Sequence, residues 1–339
     1  MDHIKPLIIA EIGNSHEGSV GIAMSLVDMA AEAGVDLVKF QFHSSKFESS
    51  DFEPFRVDTF IQDVTRKQYW DRTSFTLEQW KLIKSHCDSK KVEFLCTPFS
   101  IEAAKILKEN NLIKRWKIGS GEISNFQLLE YVFGTGLEVL ISTGLGSERD
   151  ISNTIKFIKN KLNIDQLVVM HCVSQYPTQL EFSALNQISH LKDTFGVKVG
   201  HSDHSGSKST CYLALTLPII YLEVHLTPHK LFFGPDSSSS LTPTDLKDLV
   251  EFRNDLIKLK NSNFTRDELF SMSQETANKF RKSLFWSTNL KIGQIITSSN
   301  IVVRKPWIGI DASEFDLVVG RVLKKNVNEG SPVLESDFE

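Results

Sequence analysis

The sequence lacks an excess of positive charge and any long apolar run. Its 339 residues include 38 Lys plus Arg against 42 Asp plus Glu, for a net charge of −4. This balance supplies no broad basic field, so we expect neither nucleic acid nor an anionic membrane surface as a partner. The apolar stretches fall short of the roughly 18 to 20 residues that cross a membrane, and the N-terminus has no signal-peptide core.

Cysteine is scarce and a dinucleotide-binding turn is absent. The four cysteines, Cys87, Cys96, Cys172 and Cys211, have irregular spacings and form no CxxC pair. This pattern disfavours a disulfide framework and a zinc cage, so a reducing, cytoplasmic location fits best. No GxGxxG occurs, which counts against a doubly wound open sheet that binds a dinucleotide.

What is present is a regular alternation of short apolar runs and longer amphipathic stretches, as far as about residue 260. Such alternation is typical of βα units around a parallel sheet. Eight candidate strands occur, at 7–13, 36–42, 93–99, 115–121, 138–144, 166–173, 197–203 and 219–227. Eight units over roughly 250 residues predict a (β/α)8 TIM barrel, with the doubly wound sheet as the alternative.

The remaining segments interrupt or follow this rhythm. Residues 44–75, rich in aromatic and charged side chains, form a long insertion after the second strand, which is typical of a lid or substrate loop. We expect the barrel to occupy residues 1–260. A polar stretch at 261–282 predicts a linker, and the strand-like pattern of 283–339 predicts a small β-rich domain.

Polar residues follow every predicted strand, at the end where TIM barrels carry their chemistry. Lys39 and Lys117 lie within apolar strands, close to serine and threonine hydroxyls. Ammonium and hydroxyl donors suit a small anion such as a phosphate ester. The alternative is that these lysines are ordinary barrel residues paired with carboxylates.

Two histidines end the last two strands, which are neighbours in a closed barrel. His204 and His225 can therefore converge on one divalent ion, with water completing its coordination. The alternative is that they only form hydrogen bonds in the core or at the rim. By the strand period of two, Glu223 lies on the same side as His225 and Asp203 does not.

The strand ends together resemble the sialic acid synthase family, which makes N-acetylneuraminate and other nonulosonic acids. The matching pieces follow the family's order along nearly the whole chain: AEIGNSHEG, VKFQFH, LCTPFS, WKIGSGE, ISTG, HCVSQYPT, GHSDH, LEVHLT and GPD. The tail resembles the family's C-terminal SAF domain, which is similar to type III antifreeze protein, most clearly in ITSSNIVVRKPWIGI.

The resemblance implies an enzyme, a transferase that condenses phosphoenolpyruvate with an N-acylated aminosugar to a nine-carbon acid and releases phosphate by C–O cleavage. It also implies a divalent ion, manganese or magnesium, on His204 and His225. Glu122 would guide the attacking water, and Glu11 would contact the sugar. The implied substrate-binding residues are Lys39, Thr97, Lys117, Ser120, Ser142, Ser174, Tyr176, Ser202, Asp236 and Lys305.

Some positions depart from the family's pattern, and they concern the sugar. Lys305 stands where the family has an arginine that its SAF domain offers to the partner subunit's barrel in a homodimer. Ser15 and Ser174 stand where the family has asparagine, and residues 44–75 contain none. These departures predict a sugar other than plain N-acetylmannosamine, such as a diamino-dideoxy or phosphorylated relative. The rival functions are another phosphoenolpyruvate-dependent aldol-type synthase and a non-catalytic sugar-binding barrel.

Overall fold

The computed structural model describes residues 4–56 and 62–338. It divides the chain into two compact units, Met1–Asn261 and Ser262–Glu339. The strands of the first unit are β1 Leu7–Gly13, β2 Leu37–Phe42, β3 Glu93–Pro98, β4 Arg115–Ile118, β5 Glu138–Ser142, β6 Leu167–Cys172, β7 Lys198–Asp203 and β8 Tyr221–His225. Its helices are α1 Val20–Ala33, α2 Ser45–Glu48, α3 Arg66–Thr73, α4 Leu77–Ser89, α5 Ile101–Glu109, α6 Phe126–Gly134, α7 Glu148–Lys161, α8 Asn186–Phe195, α9 Lys208–Thr216 and α10 Pro243–Lys260.

The eight strands form one parallel sheet that nearly closes on itself. Their order is β3-β2-β1-β8-β7-β6-β5-β4, and the two end strands, β3 and β4, also lie against each other. With helices on the outside, this is the predicted (β/α)8 barrel. Among the described residues, no helix combines the length and apolar content that a membrane crossing requires.

Side chains of the barrel strands alternate between the outer and the inner face of the sheet, and they form two separate apolar cores. In β1, Ile8, Ala10 and Ile12 pack outward against the helices, whereas Ile9 joins a smaller cluster inside the barrel. The period of two then turns Glu11 inward as well, one position beyond that inner layer. The barrel is therefore filled by apolar side chains at its base and lined by polar side chains above them.

The insertion after β2 carries α2 and α3. Residues 57–61 of this insertion lie outside the described residues. α3 begins at a capping box between Thr65 and Gln68, which satisfies exposed amide groups of the first turn. All four cysteines of the chain are free and buried.

The second unit is small and has its own core. It contains α11 Arg266–Met272, α12 Gln274–Phe280, β9 Ser283–Trp286, β10 Ile301–Arg304 and α13 Phe315–Val318. β9 and β10 pair antiparallel, and Trp286 and Phe338 belong to the buried cluster. The predicted β-rich character of this region is confirmed.

The expected linker at residues 261–282 contains α11 and α12, and its residues from Ser262 onward fall within the second unit. A capping box between Thr265 and Glu268 starts α11, and Asn278 accepts a backbone hydrogen bond from Trp307. Neither helix buries a side chain, so the sequence shows no apolar stripe that would predict them.

Candidate active site

The polar strand ends converge on one cavity of about 470 Å³ at the C-terminal mouth of the barrel. The cavity is lined by all of the predicted site residues of the first unit: Glu11, Lys39, Thr97, Lys117, Ser120, Glu122, Ser142, Ser174, Tyr176, Ser202, His204, His225 and Asp236. Its volume lies in the range of small-molecule sites. Lys305 belongs to the second unit, where its Nζ lies 5.0 Å from the ring centre of Phe280.

Strand register explains how these side chains meet. Glu11 lies opposite Lys39 on one neighbouring strand and opposite His225 on the other. Ser202 lies opposite Glu223 in the pair β7–β8. Neighbouring strands therefore place ammonium, carboxylate, hydroxyl and imidazole groups side by side at one level of the barrel.

Four charged side chains form a buried cluster at the floor of the cavity. Lys39 Nζ lies 2.8 Å from Glu11 Oε2 and 3.6 Å from Glu223 Oε1, and Lys117 Nζ lies 3.2 Å from the same Glu223 oxygen. No side chain in the cluster is more than 4% exposed. Both lysines thus have carboxylate partners, as the alternative reading of the sequence expected, and both also face the cavity.

Burial and ion pairing act in opposite directions on this cluster. Burial tends to lower the pKa of Lys39, but Glu11 and Glu223 raise it above its usual value. Burial lowers the pKa of Lys117, with Glu223 opposing the shift. Burial alone would raise the pKa of Glu223, but the ammonium groups of Lys117 and Lys39 hold it low. The geometry thus supports an ionised cluster whose four formal charges cancel.

Hydroxyl groups surround the two lysines. Lys39 Nζ donates to Thr97 Oγ1 at 3.4 Å, and Ser202 Oγ donates to Glu223 Oε1 at 3.0 Å. Ser120 and Ser174 share a hydrogen bond of 3.3 Å between their Oγ atoms. These donors sit within a half-open cavity, so they can reorient toward the oxygens of a bound phosphate or carboxylate.

The two histidines have the features of metal ligands. His204 Nδ1 lies 2.7 Å from the carbonyl oxygen of Val173, which leaves Nε2 without a proton. A hydrogen bond of this kind fixes the ring orientation of a metal-bound histidine. Burial lowers the pKa of His204 to about 3, so the ring is neutral and able to ligate. His225 lies beside it, with ring centres 5.4 Å apart.

The described part of the protein offers a metal ion only two candidate ligands here, one ring nitrogen each from His204 and His225. Among the described residues, no group of three or more His, Cys, Asp or Glu side chains could hold an ion. Water and substrate oxygens would therefore supply the rest of the coordination. Two imidazoles that face a polar cavity fit a divalent transition ion.

One wall of the cavity joins the insertion to the loop after β8. Arg56 Nη2 donates to Asp236 Oδ1 at 2.5 Å, and its guanidinium lies 4.3 Å from the ring centre of Tyr176. Burial would raise the pKa of Asp236, but His225 and Arg56 lower it. Sequence reasoning assigned Tyr176 and Asp236 to this site and missed Arg56, which lies in the insertion far from both along the chain.

Further cavity residues have no role assigned from the sequence. The sequence placed Glu223 on the same side as His225 without assigning it a function, and it assigned none to Gln41, His43 or Glu48. Their strand-end positions were the available signal for Glu223 and Gln41. Three of the polar strand ends lie outside this cavity, as the period of two requires: Thr143, His171 and Asp203.

Known proteins resemble the chain over nearly its whole length. The sequence profile of the NeuB family matches residues 26–283, and that of the SAF domain matches residues 281–339. The N,N'-diacetyllegionaminic acid synthase of Campylobacter jejuni is 30% identical over 98% of this chain and 99% of that protein. The N-acetylneuraminate-9-phosphate synthase of Drosophila melanogaster is 28% identical over 96% of this chain and 94% of that protein.

A solved structure agrees with these relatives. The N-acetylneuraminic acid synthetase of Leptospira borgpetersenii, in complex with citrate, superposes with a TM-score of 0.67 at 27% identity and covers 80% of this chain and 92% of that one. Family profile, relatives and fold point the same way, and the resemblance found in the sequence motifs is confirmed. The chain belongs to the NeuB family and ends in a SAF domain.

Proposed function

We propose that this protein condenses phosphoenolpyruvate with an N-acylated aminosugar, forming a nine-carbon nonulosonic acid and releasing phosphate. The observation that carries the proposal is the buried cluster of Lys39, Lys117, Glu11 and Glu223 beneath a cavity lined by hydroxyls. Relatives of this chain carry the names of synthases for such acids. The reaction consumes one water, which supplies the oxygen at C2 of the product.

Phosphoenolpyruvate binds at the hydroxyl-rich side of the cavity. Lys39 and Lys117 donate to its phosphate and carboxylate oxygens, and so do the hydroxyls of Thr97, Ser120, Ser142, Ser174 and Ser202. Because the four charges of the buried cluster cancel, additional positive charge helps to hold so strong an anion. His204 and His225 would hold a divalent ion, manganese or magnesium, which would supply this charge and Lewis acidity toward the sugar's aldehyde oxygen.

The reacting atoms then follow the charges of the cavity. C3 of phosphoenolpyruvate attacks the aldehyde carbon of the open-chain sugar, and positive charge develops at C2. The carboxylate of Glu122 stabilises this charge, and the carboxylate of Glu11 contacts the sugar. Glu122, which is held by a 2.7 Å hydrogen bond from Asn125 Nδ2, accepts a proton from the water that adds to C2. The C2–O bond then breaks, and phosphate departs with the bridging oxygen and the proton of the C2 hydroxyl, which becomes the ketone. The proton held by Glu122 goes to the alkoxide formed at the former aldehyde carbon.

The sugar lies on the side of the cavity formed by Tyr176, Asp236 and the insertion. Lys305 in place of arginine, and an insertion without asparagine, support a sugar other than plain N-acetylmannosamine, such as a diamino-dideoxy or phosphorylated relative. Lysine offers a point charge and lacks the planar fork of arginine, so acyl recognition changes with it.

The chain acts as a homodimer in which the SAF domain of one subunit caps the barrel of the other. In this arrangement the barrel domain spans residues 1–260 and the SAF domain spans residues 283–339. Buried free cysteines fit a cytoplasmic enzyme.

The proposal is tested by following phosphate release from phosphoenolpyruvate that carries ¹⁸O in the bridging position. The sugars are N-acetylmannosamine, its 6-phosphate and a 2,4-diacetamido-trideoxy hexose, each assayed with and without added manganese. We expect sugar-dependent release, fastest with a modified sugar, with the ¹⁸O recovered in the phosphate. Label retained in the organic product would mean P–O cleavage and a different reaction.

A matched variant shows whether the phosphate release comes from this enzyme or from a contaminating activity. Lys117→Met removes the buried ammonium and keeps the length of the side chain, so release should fall by about two orders of magnitude or more. If no sugar promotes release, and a chelator and Lys117→Met change nothing, the synthase function is wrong.

A further inference from the structure

A chain of hydrogen bonds leads from Glu11 away from the reacting groups into the insertion. Gln41 Nε2 donates to Glu11 Oε1 at 2.5 Å. The other end of the same amide, Oε1, lies 2.9 Å from His43 Nε2. His43 Nδ1 in turn lies 2.7 Å from Glu48 Oε1. Both ends of the Gln41 amide and both ring nitrogens of His43 therefore take part in this one chain of hydrogen bonds, which we call the relay.

The histidine in this relay is clamped between two aromatic rings. The His43 ring stacks on Trp70 with centres 3.5 Å apart and planes inclined by 15°, and on Phe99 at 4.2 Å and 12°. The guanidinium of Arg66 covers the Trp70 ring at 4.1 Å. The His43 side chain is 7% exposed. The clamp holds the ring plane, so the two nitrogens keep their directions toward Gln41 and Glu48.

The position of each proton in the relay follows from Glu11. Glu11 is a carboxylate, because it pairs with Lys39 at 2.8 Å, and it therefore requires the NH₂ end of Gln41. The oxygen end of Gln41 then faces His43, whose Nε2 must carry a proton. A single proton remains for the contact between His43 Nδ1 and Glu48 Oε1. It lies either on Glu48, which leaves both groups neutral, or on His43, which makes an ion pair.

The surroundings favour the neutral pair. Burial, followed by the charges of Arg66, His16 and Lys39, lowers the pKa of His43 well below its usual value. Burial raises the pKa of Glu48 to about 8, with Glu53 and Glu122 adding to the shift and a backbone hydrogen bond with Ser44 and the charge of Arg66 opposing it. The second oxygen, Glu48 Oε2, is buried and has no hydrogen-bond partner within the described ranges. A neutral carboxyl tolerates that state better than a carboxylate does.

We propose that His43 and Glu48 are positioning residues, which orient the Gln41 amide and through it the Glu11 carboxylate, with the Glu48 carboxyl donating its proton to His43. This inference rests on the proposed function in giving Glu11 a role toward the sugar. Neither His43 nor Glu48 is required to touch the reacting atoms.

The relay has a consequence for pH dependence. As pH rises through about 8, Glu48 loses its proton, and a carboxylate requires a proton on His43 Nδ1. A neutral His43 then has no proton on Nε2, so the oxygen end of Gln41 loses its donor and the amide no longer holds Glu11 in place. Sugar turnover should therefore fall on the alkaline side of pH 8.

The decisive variants are Glu48→Gln and Glu48→Leu. The amide of Glu48→Gln can donate to His43 Nδ1 at any pH, whereas Glu48→Leu cannot. We expect Glu48→Leu to lower kcat by about tenfold, near the value of one hydrogen bond of 1 to 1.5 kcal/mol. Glu48→Gln should recover most of that loss and remove the decline above pH 8. Equal loss in both variants, or an unchanged pH profile in Glu48→Gln, would overturn the proposal.

His43→Phe tests the clamp and the relay separately. Phenylalanine retains the stack between Trp70 and Phe99 but removes both hydrogen bonds. The thermal midpoint should fall only modestly, because Gln41 and Glu48 each lose one hydrogen bond. In contrast, kcat should fall with little change in the KM for phosphoenolpyruvate, whose binding groups lie outside the relay. A loss that appears only in stability, or only in the KM for phosphoenolpyruvate, would contradict a positioning role.

A measurement without substrates keeps this inference separate from the proposed function. The ¹⁵N spectra of the histidine-labelled full chain should show His43, assigned by its loss in His43→Phe, as the neutral Nε2–H form at pH 7. Its signals should shift near pH 8 in the original chain and stay constant in Glu48→Gln. A doubly protonated His43 at pH 7 would overturn the relay whatever the enzyme's activity, and the expected spectra combined with no turnover would overturn the function alone.

Discussion

Gly144 follows β5 at a point where the cavity wall leaves no room for a side chain. A Cβ at this position would lie 2.4 Å from Ser174 Oγ and 2.8 Å from Cys172 Sγ. Both neighbours belong to the hydroxyl-rich side of the cavity. The glycine thus allows the backbone to approach the groups that are proposed to bind phosphoenolpyruvate.

Gly144→Ala should therefore weaken the phosphoenolpyruvate site while the fold survives. Overpacking costs about 1 to 3 kcal/mol, so we expect kcat/KM for phosphoenolpyruvate to fall by about tenfold or more. Steady-state phosphate release measures the effect. Gly121→Ala is the matched control, because Gly121 also lines the cavity and a Cβ there meets nothing within 4 Å. Equal kinetics in the two variants would show that the Ser174 side chain can move away from the new methyl group without any effect on phosphoenolpyruvate turnover.

At the residue scale, the sequence could identify groups whose position depends on one strand alone. Lys39 and His225 are predictable because the strand period decides which side of the sheet each one faces. The relay of His43 and Glu48 was not predictable, because it depends on the stacking of Trp70 and Phe99 from two other segments. The pairing of Glu223 with both lysines likewise required the closed barrel.

At the scale of elements, one arginine ties the insertion to the opening motif AEIGNSHEG. Arg72, in α3, donates to Glu17 Oε2 at 2.8 Å and to both carboxylate oxygens of Asp63. Its own carbonyl oxygen packs against Gly18, where a Cβ would lie 2.4 Å away and φ is +80°. Gly18 is thus required both for the turn and for the approach of α3.

Arg72→Gln should loosen the insertion without unfolding the barrel. The variant loses charge-assisted hydrogen bonds at a site that is 30% exposed, so we expect the local opening free energy to fall by about 1 to 2 kcal/mol. Hydrogen exchange should then be faster in residues 62–75 and unchanged in β5 and β6. Arg149→Gln, at an exposed position of α7, is the control. Faster exchange throughout the barrel would mean that Arg72 supports the whole fold.

Strands and helices were predictable where their burial produces a regular pattern of apolar residues in the sequence. The barrel strands are buried on both faces, so each appears as a continuous apolar run bounded by turn residues. α2 and α3 are short, and α3 is held by polar contacts such as those of Arg72. Helices of this kind carry little apolar periodicity, which is why the insertion appears in the sequence as a loop.

At the scale of the whole molecule, each unit has a separate core, one around the barrel and one around Trp286. Under the proposed function, a SAF domain serves either the barrel of its own chain or the barrel of a partner chain. The proposed homodimer requires the second. The distinction matters for Lys305, because in the proposed homodimer its side chain contributes to the sugar site of the partner subunit's barrel and not to that of its own chain.

Complementation between two variants decides between these arrangements. Lys117→Met inactivates the barrel site, and Lys305→Glu should lower kcat/KM for the sugar by reversing the charge offered to it. When the two chains are co-expressed, half of the dimers are mixed and one of their two sites combines an intact barrel with an intact SAF domain, so about a quarter of the original activity should return. If the SAF domain serves its own barrel, mixed dimers contain no intact site, and the activity per total protein should stay at the mean of the two separate variants.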